Sequence, residues 1–175
     1  QGPRQWCLMR RVQTQGNKVA SAGNDGIVKL WTTNLSPSEK KEIKIGNGPV
    51  SCLAFNQIGS IIAAGDSTSQ IDLIKIKPGM QIISQLQGHQ DIVNTCVFSS
   101  EESRKVVSVG QDRTMRIWIW QHKEVEVLCG GFLLLALDIQ RSDSTFATGH
   151  KSGEVKLWSL HEMKEMQSIT GLHRQ

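Results

Sequence analysis

The sequence predicts an all-β fold in which one four-stranded antiparallel unit occurs four times. Three observations predict it. Anchor residues recur at a nearly constant interval, apolar side chains alternate before each anchor, and turn sequences separate short apolar runs. No segment keeps the apolar period of a surface helix. A chain of 175 residues is long enough to bury a sizeable core.

The anchors are separated by 43, 44 and 40 residues, and they are Trp31, Ile74, Trp118 and Trp158. Apolar residues precede each anchor by three positions and by one, as in Val28 and Leu30 before Trp31. This alternation is typical of a strand with two chemically different faces. A period of about 40–45 residues ending in tryptophan is typical of a β-propeller blade. We therefore expect one domain, 1–175, with blades at about 4–46, 47–88, 89–130 and 131–173.

The third repeat shows the expected strands and turns. Strands are predicted at Val93–Ser99, Lys105–Gly110, Met115–Trp120 and Val125–Cys129, with turns at Ser100–Ser103 and Gln111–Arg113. The first repeat has a strong hairpin sequence at Gly23–Gly26. We expect the first strand of the chain around Trp6 and the last around Met166–Leu172.

The third repeat also carries the pattern of a known family. It has Gly88-His89 at its start, Val93 and Phe98 in its first strand, and then Ser108, Asp112 and Trp118. At these residues the sequence resembles the WD-repeat family, over almost the whole chain. The family's aspartate after tryptophan is replaced by Thr32, Ile119 and Ser159. In its loose repeats and altered Trp-Asp ends, the chain is similar to propellers of apoptotic-protease-activating-factor-like ATPases.

The resemblance implies a structural hydrogen-bond network in the third blade, formed by Asp112, His89, Ser108 and Trp118. An indole only donates, a serine both accepts and donates, and an imidazole can link the serine to the carboxylate. In the first repeat the corresponding residues are Ser21, Asp25 and Trp31, and their histidine would lie upstream of the chain. The second and fourth repeats lack the histidine and a clear aspartate, so we expect packing to hold them.

His89, Ser108 and Asp112 are also the residue types of a serine-hydrolase triad. That chemistry needs an exposed serine, an oxyanion hole and an oriented base. The sequence has no Gly-x-Ser-x-Gly elbow. The structural interpretation is favoured, and no catalytic residue is expected.

The resemblance further implies a partner-binding face at the start of the inner strands and in the turns before the blade aspartates. By register, the residues of this face are Asn24, Ser51, Ile92, Asn94, Gln111, Leu133 and Lys151, together with Pro49 and Leu135. Ile92 and Leu133 are apolar residues at a loop rim, which can seed an interface. The alternative, that they cover the inner strands, stays open.

Four blades are expected to be part of a larger propeller of about seven blades, as in most members of the family. If each open face uncovers on the order of 400 Å² of apolar surface, roughly 10 kcal/mol is lost per face. Whole-domain stability is only about 5–15 kcal/mol. The remaining blades of the same propeller are therefore an expected partner, and the four blades alone are expected to be marginal.

Composition narrows the function classes. The net charge of +4 and the pI near 9.0 come from scattered charges without a basic stripe, so nucleic acid is not the favoured partner. The longest apolar run, Phe132–Leu137, is too short to span a bilayer. The cysteines, Cys7, Cys52, Cys96 and Cys129, form no C-x-x-C pair, which favours reduced, buried thiols in a cytoplasmic or nuclear protein. No metal or cofactor is expected.

The expected function is a non-catalytic scaffold or adaptor that binds proteins or peptides as part of a larger multidomain or multi-subunit protein. The alternative is a component of a ribonucleoprotein or chromatin complex that contacts RNA or DNA. An enzyme is not expected, because no nucleotide loop, metal cluster or exposed nucleophile is visible in the sequence.

Overall fold

The computed structural model describes residues 13–15, 17–32, 41–99, 105–129, 133–140 and 145–170. These residues form sixteen strands. The strands are β1 Gln13–Gln15, β2 Lys18–Ala22, β3 Ile27–Thr32, β4 Lys41–Lys44, β5 Val50–Phe55, β6 Ile61–Asp66, β7 Gln70–Lys75, β8 Gln81–Gln87, β9 Val93–Phe98, β10 Lys105–Gly110, β11 Thr114–Ile119, β12 Glu124–Cys129, β13 Leu134–Ile139, β14 Thr145–His150, β15 Val155–Ser159 and β16 Lys164–Ile169. In this part of the chain no helix is long and apolar enough to cross a membrane.

The strands form four antiparallel sheets of four consecutive strands each, which confirms the all-β class. We number them sheets 1 to 4 in chain order. Strands β9 to β12 begin and end within one residue of the predicted bounds. Trp6, the turn at 100–103 and Leu172 lie outside the described residues. The first strand that the structure describes is Gln13–Gln15.

The anchors occupy one register position in all four sheets. Trp31 pairs with Val19, Ile74 with Ile62, Trp118 with Val106, and Trp158 with Phe146. The turn before each third strand contains a residue with left-handed backbone, namely Gly26 (φ 71°), Ser69 (70°), Arg113 (63°) and Gly153 (80°). A tight hairpin requires this conformation, and glycine adopts it without steric cost.

Successive sheets pack face to face, so an inner sheet contacts the preceding sheet with one face and the following sheet with the other. We call the face directed at the next sheet in the chain the trailing face, and the opposite one the leading face. In sheet 1 the trailing face carries Ala20, Ala22, Val28 and Leu30, which are 0–5% exposed against sheet 2. Corresponding clusters lie between sheets 2 and 3 and between sheets 3 and 4. The first strands of the sheets adjoin, so β5, β9 and β13 lie innermost.

The outer faces of the first and last sheets are less covered by the described residues. On the trailing face of sheet 4, the residues in register with that buried set are Ala147, Gly149, Val155 and Leu157, and all four are half-buried. On the leading face of sheet 1, Trp31 is 38% exposed, whereas Trp118 is 3% exposed. The apolar positions of these two faces are therefore less buried where no described sheet covers them.

The thiols of Cys52 and Cys96 are buried between sheets 2 and 3, with their sulfur atoms 3.5 Å apart, and no disulfide joins them. This confirms the expectation of buried thiols for these two residues. Cys7 and the side chain of Cys129 lie outside the described part.

Candidate functional site

A continuous hydrogen-bond chain crosses sheet 3 from its third strand to its loop. Trp118 Nε1 donates to Ser108 Oγ (2.8 Å), and Ser108 Oγ lies 2.8 Å from His89 Nε2. His89 Nδ1 lies 2.8 Å from Asp112 Oδ2. Because the indole can only donate, the serine hydroxyl donates to Nε2, and the proton on Nδ1 is donated to the carboxylate. The four side chains thus satisfy one another without water.

The burial of Ser108 and His89 decides what chemistry this hydrogen-bond chain can perform. Ser108 is 0% exposed and His89 is 3% exposed. The serine hydroxyl is engaged by both neighbours, so it is not presented to a substrate. The arrangement connects the loop at His89 to the strands β10 and β11, which is a structural rather than a nucleophilic geometry.

The charges of the chain follow from the same contacts. Burial lowers the pKa of His89 and outweighs the opposing effect of the Asp112 carboxylate. Burial alone would raise the pKa of Asp112. Hydrogen bonds from the Gln90 backbone, His89 and Thr114 outweigh that effect, and the pKa is lowered. The folded state therefore holds a neutral imidazole against an ionised carboxylate.

Sheet 1 keeps part of this chain. Trp31 Nε1 donates to Ser21 Oγ (2.9 Å), as the register predicts. Asp25 is exposed and accepts the backbone N–H of Ile27 (3.1 Å), which closes the turn. The position of the missing histidine lies outside the described residues.

Sheet 4 corrects the expectation that packing alone holds it. Trp158 Nε1 donates to Thr148 Oγ1 (2.8 Å), which lies 3.0 Å from His150 Nε2. Threonine replaces the serine, and the histidine comes from the end of strand β14 rather than from the preceding loop. His150 Nδ1 is buried without a hydrogen-bond partner among the described residues. The sequence signal was Ala147-Thr148-Gly149-His150, which places a hydroxyl and an imidazole two residues apart on one face of the strand.

Sheet 2 corrects the same expectation in another way. Asp66 is 1% exposed, and its Oδ1 accepts hydrogen bonds from the backbone N–H groups of Thr68 (2.8 Å) and Gln70 (3.1 Å). Asp72, also 1% exposed, accepts the side-chain amides of Gln70 and Gln85. Burial raises the pKa of Asp72. A clear aspartate was therefore present, but it lay at the end of strand β6 rather than in the following turn.

The residue that ends each second strand explains these differences. In sheet 3 this residue is Gly110, and a Cβ there would lie 2.7 Å from His89 Nδ1. The loop histidine therefore requires the absence of a side chain at this position. In sheets 2 and 4 the loop supplies no histidine, and Asp66 and His150 occupy the corresponding strand position.

The residues expected on the partner-binding face meet in pairs at one end of the sheets. The turn after each second strand donates a backbone N–H to the residue before the first strand: Ser67 to Pro49 (2.9 Å), Gln111 to Ile92 (2.8 Å) and Lys151 to Leu133 (2.9 Å). Asn24 occupies the same turn position in sheet 1. The side chains of Asn24, Gln111 and Lys151 are exposed, whereas Ile92 and Leu133 are half-buried. Ser67 was missed, although its register position matches that of Gln111.

Two residues expected on this face connect neighbouring sheets. The Ser51 hydroxyl lies within hydrogen-bond distance of the carbonyl oxygens of Gly65 in its own sheet (3.1 Å) and of Val93 in sheet 3. Asn94 Nδ2 donates to the carbonyl of Leu134 (2.6 Å). Their side chains, together with Leu135, line a cavity of about 160 Å³ beside the innermost strands. Among the described residues, no group of three or more His, Cys, Asp or Glu side chains could hold a metal ion.

Comparison with known proteins agrees with the fold. The family model described as "WD domain, G-beta repeat" matches residues 80–118, from the start of β8 to Trp118. Autophagy-related protein 16 of Arabidopsis thaliana is 27% identical over 156 residues, covering 86% of this chain and 30% of the relative. Human pre-mRNA-processing factor 17 is 32% identical over 114 residues, covering 61% of this chain and 18% of the relative.

Bovine WD repeat-containing protein 1 is 28% identical over 118 residues, covering 66% of this chain and 19% of the relative. The chain thus spans less than a third of the length of each of these curated relatives. The four-sheet fold, the matched repeat and the relatives together support the resemblance of this chain to WD-repeat β-propeller proteins.

Proposed function

We propose that this chain is part of a propeller that acts as a non-catalytic scaffold and binds other proteins through the end of the sheets at which the inner strands begin. The contrast in exposure carries the proposal. The polar groups that resemble a catalytic triad are buried and mutually satisfied. The side chains of the turn residues Asn24, Gln111 and Lys151 at this end are exposed and differ from sheet to sheet. Rigid strands that carry variable exposed loops are the usual basis of recognition.

The partner-binding face then has two kinds of residue. Asn24, Gln111 and Lys151 offer exposed polar and charged groups to a partner. Ser51 and Asn94 hold adjacent sheets in place, which gives the face a fixed shape. A preorganised surface binds at a lower entropic cost than a flexible one.

Ile92 and Leu133 support both interpretations that the sequence left open. Each side chain is half-buried, and each backbone carbonyl accepts a hydrogen bond from a turn residue, Gln111 for Ile92 and Lys151 for Leu133. Because each side chain is half-buried, neighbouring residues cover part of it and the remaining part is accessible. We propose that this remaining part contributes to the interface.

The remaining blades of the same propeller are the second proposed partner. The half-buried trailing face of sheet 4 presents small and branched residues in register with those that bury against a neighbour elsewhere. The exposed Trp31 presents on sheet 1 the position that Trp118 buries against sheet 2. A further sheet on each side would remove both surfaces from water.

A role in a ribonucleoprotein complex is the alternative. The pI near 9.0 and the similarity to a pre-mRNA-processing factor favour it. RNA binding would show a steep loss of affinity with salt, because phosphate contacts release counterions. Protein binding through the mostly uncharged face proposed here would depend on salt only weakly.

The test is a charge change on the face in the complete protein. The double variant Gln111→Glu/Lys151→Glu should lose most of its bound proteins in quantitative affinity capture, because it alters two exposed turn positions. The matched control is Gln121→Glu/Lys75→Glu, which makes the same chemical changes at two exposed positions elsewhere. Gln121 lies just after the end of β11, and Lys75 is the last residue of β7. Equal capture by the two variants would refute the proposed face. Capture of RNA instead of protein would favour the alternative.

A further inference from the structure

The outermost strand of sheet 2 lacks the usual protection of an exposed sheet edge. Strand β8 pairs with β7 only, so one row of its backbone groups has no strand partner among the described residues. Its sequence, Gln-Ile-Ile-Ser-Gln-Leu-Gln, contains no charge in seven residues. The outer strands of the other sheets each carry charges, as in Lys41-Glu42-Ile43-Lys44 of β4. Charged side chains on edge strands prevent unwanted pairing, and β8 has none.

A groove with both apolar and polar lining runs along this edge. It has a volume of about 540 Å³ and lies between β8 and the side of sheet 3 that carries Trp118, Trp120 and Val125, and the oppositely charged Lys123 and Glu124 also line it. Consecutive residues of β8, from Ile82 to Gln87, line it, so the groove follows the strand's edge rather than one of its faces.

A bulge explains why two adjacent isoleucines are exposed on β8. Ile82 pairs with Ile74 and Ser84 pairs with Leu73, so Ile83 is an extra residue in the ladder. Ile82 is 38% exposed and Ile83 is 39% exposed. On the opposite wall Val125 is 41% exposed. Apolar side chains are thus available on both sides of an unpaired backbone edge.

We propose that this groove binds an extended, uncharged segment of a partner polypeptide, which pairs with the outer edge of β8 as an additional strand. A row of N–H and C=O groups is satisfied by another extended chain, and apolar side chains on both walls select the segment's side chains. At about 3.3 Å per residue, the seven residues of β8 can pair with a segment of about five to seven residues. The proposed occupant is a single strand, because pairing of β8 with a second copy of this chain would bring two whole sheets together edge to edge.

The groove lies along the outer strands, away from the inner-strand end proposed above as the partner-binding face. Failure of the groove proposal would therefore leave the face proposal untouched, and the two sets of variants separate them.

The experiment uses the complete protein and a displayed library of random seven-residue peptides. We expect enrichment of uncharged sequences with alternating apolar residues. An enriched peptide, labelled for fluorescence anisotropy, should bind at least tenfold more weakly to Ile83→Lys and to Val125→Lys, which add a charge to opposite walls. The control is Ile58→Lys, the same change at an isoleucine that is 77% exposed and does not line the groove. Circular dichroism checks that each variant folds.

A second form of the peptide, N-methylated at alternate residues, keeps every side chain but loses backbone donors. It should not bind if the segment adds as a strand. Equal binding of both forms, equal binding to all variants, or failure of the library to enrich any peptide would overturn the proposal. Concentration-dependent dimerisation that Ile83→Lys abolishes, without peptide enrichment, would assign the edge to a second copy and would also overturn it.

Discussion

Replacing Ser108 by alanine tests the hydrogen-bond chain of sheet 3 at its central link. The substitution removes one oxygen atom and leaves almost no cavity, so its cost comes from the two partners. Trp118 Nε1 loses its acceptor and His89 Nε2 loses its donor, and both residues are 3% exposed. An unsatisfied buried polar group costs about 1–3 kcal/mol, so Ser108→Ala should cost about 2–6 kcal/mol.

Sheet 1 supplies a matched control at the same register position. Ser21→Ala removes the acceptor of Trp31 Nε1 only, and Trp31 is 38% exposed. Water can replace the lost bond, so the cost should stay below about 1 kcal/mol. Urea unfolding of the complete protein at pH 7.5 measures both free energies. Equal costs for the two variants, or no loss for Ser108→Ala, would refute the assignment of a stabilising role to the chain.

Three further measurements test the pKa shift, the glycine and the open face. Because burial lowers the pKa of His89, the unfolded chain binds the extra proton. The free energy of unfolding should therefore fall as the pH is lowered from about 6.5 toward 5, by up to about 1.4 kcal/mol per pH unit. In His89→Gln the same decrease should be less steep. Gly110→Ala should lower the melting temperature, because the added Cβ would collide with His89. Gly79→Ala should leave the melting temperature unchanged, because a Cβ there would have no atom within 4 Å. If a further sheet covers the open face of sheet 4, Leu157→Ser should lower the free energy of unfolding of the complete protein as much as Ile117→Ser does, by about 2–5 kcal/mol. In the 175-residue chain alone, Leu157→Ser should lower it much less.

The repeat and its strands could be predicted because they depend on local patterns. Alternating apolar residues before Trp118 specify a strand with one face on each neighbouring sheet, and the turn residues specify where it begins. The first repeat's Gly26 has the left-handed backbone that its hairpin sequence requires. The strands of the third repeat could therefore be placed to within one residue.

The polar contacts of the second and fourth sheets could not be predicted from a pattern that fixes residue types at fixed positions. The space beside a buried strand end can be occupied from the loop, as by His89, or from the strand itself, as by His150. The Thr148 hydroxyl accepts the indole N–H of Trp158, as a serine hydroxyl does in sheets 1 and 3. Only the shared register of Gly110, Asp66 and His150 reveals the relation, and that register is visible once all three strands are aligned.

These substitutions have a consequence for how the sheets hold together. Asp66 accepts the backbone N–H groups of Thr68 and Gln70, and Asp112 accepts those of Gln90 and Thr114, so each carboxylate fixes the backbone around the end of its second strand. Sheet 4 has no carboxylate in this position, and His150 Nδ1 stays without an acceptor among the described residues. The same sheet has the half-buried trailing face. Sheet 4 thus combines a buried imidazole nitrogen that lacks a partner in the described part of the chain with a half-buried apolar face, so a further blade packed on this face would add to its stability.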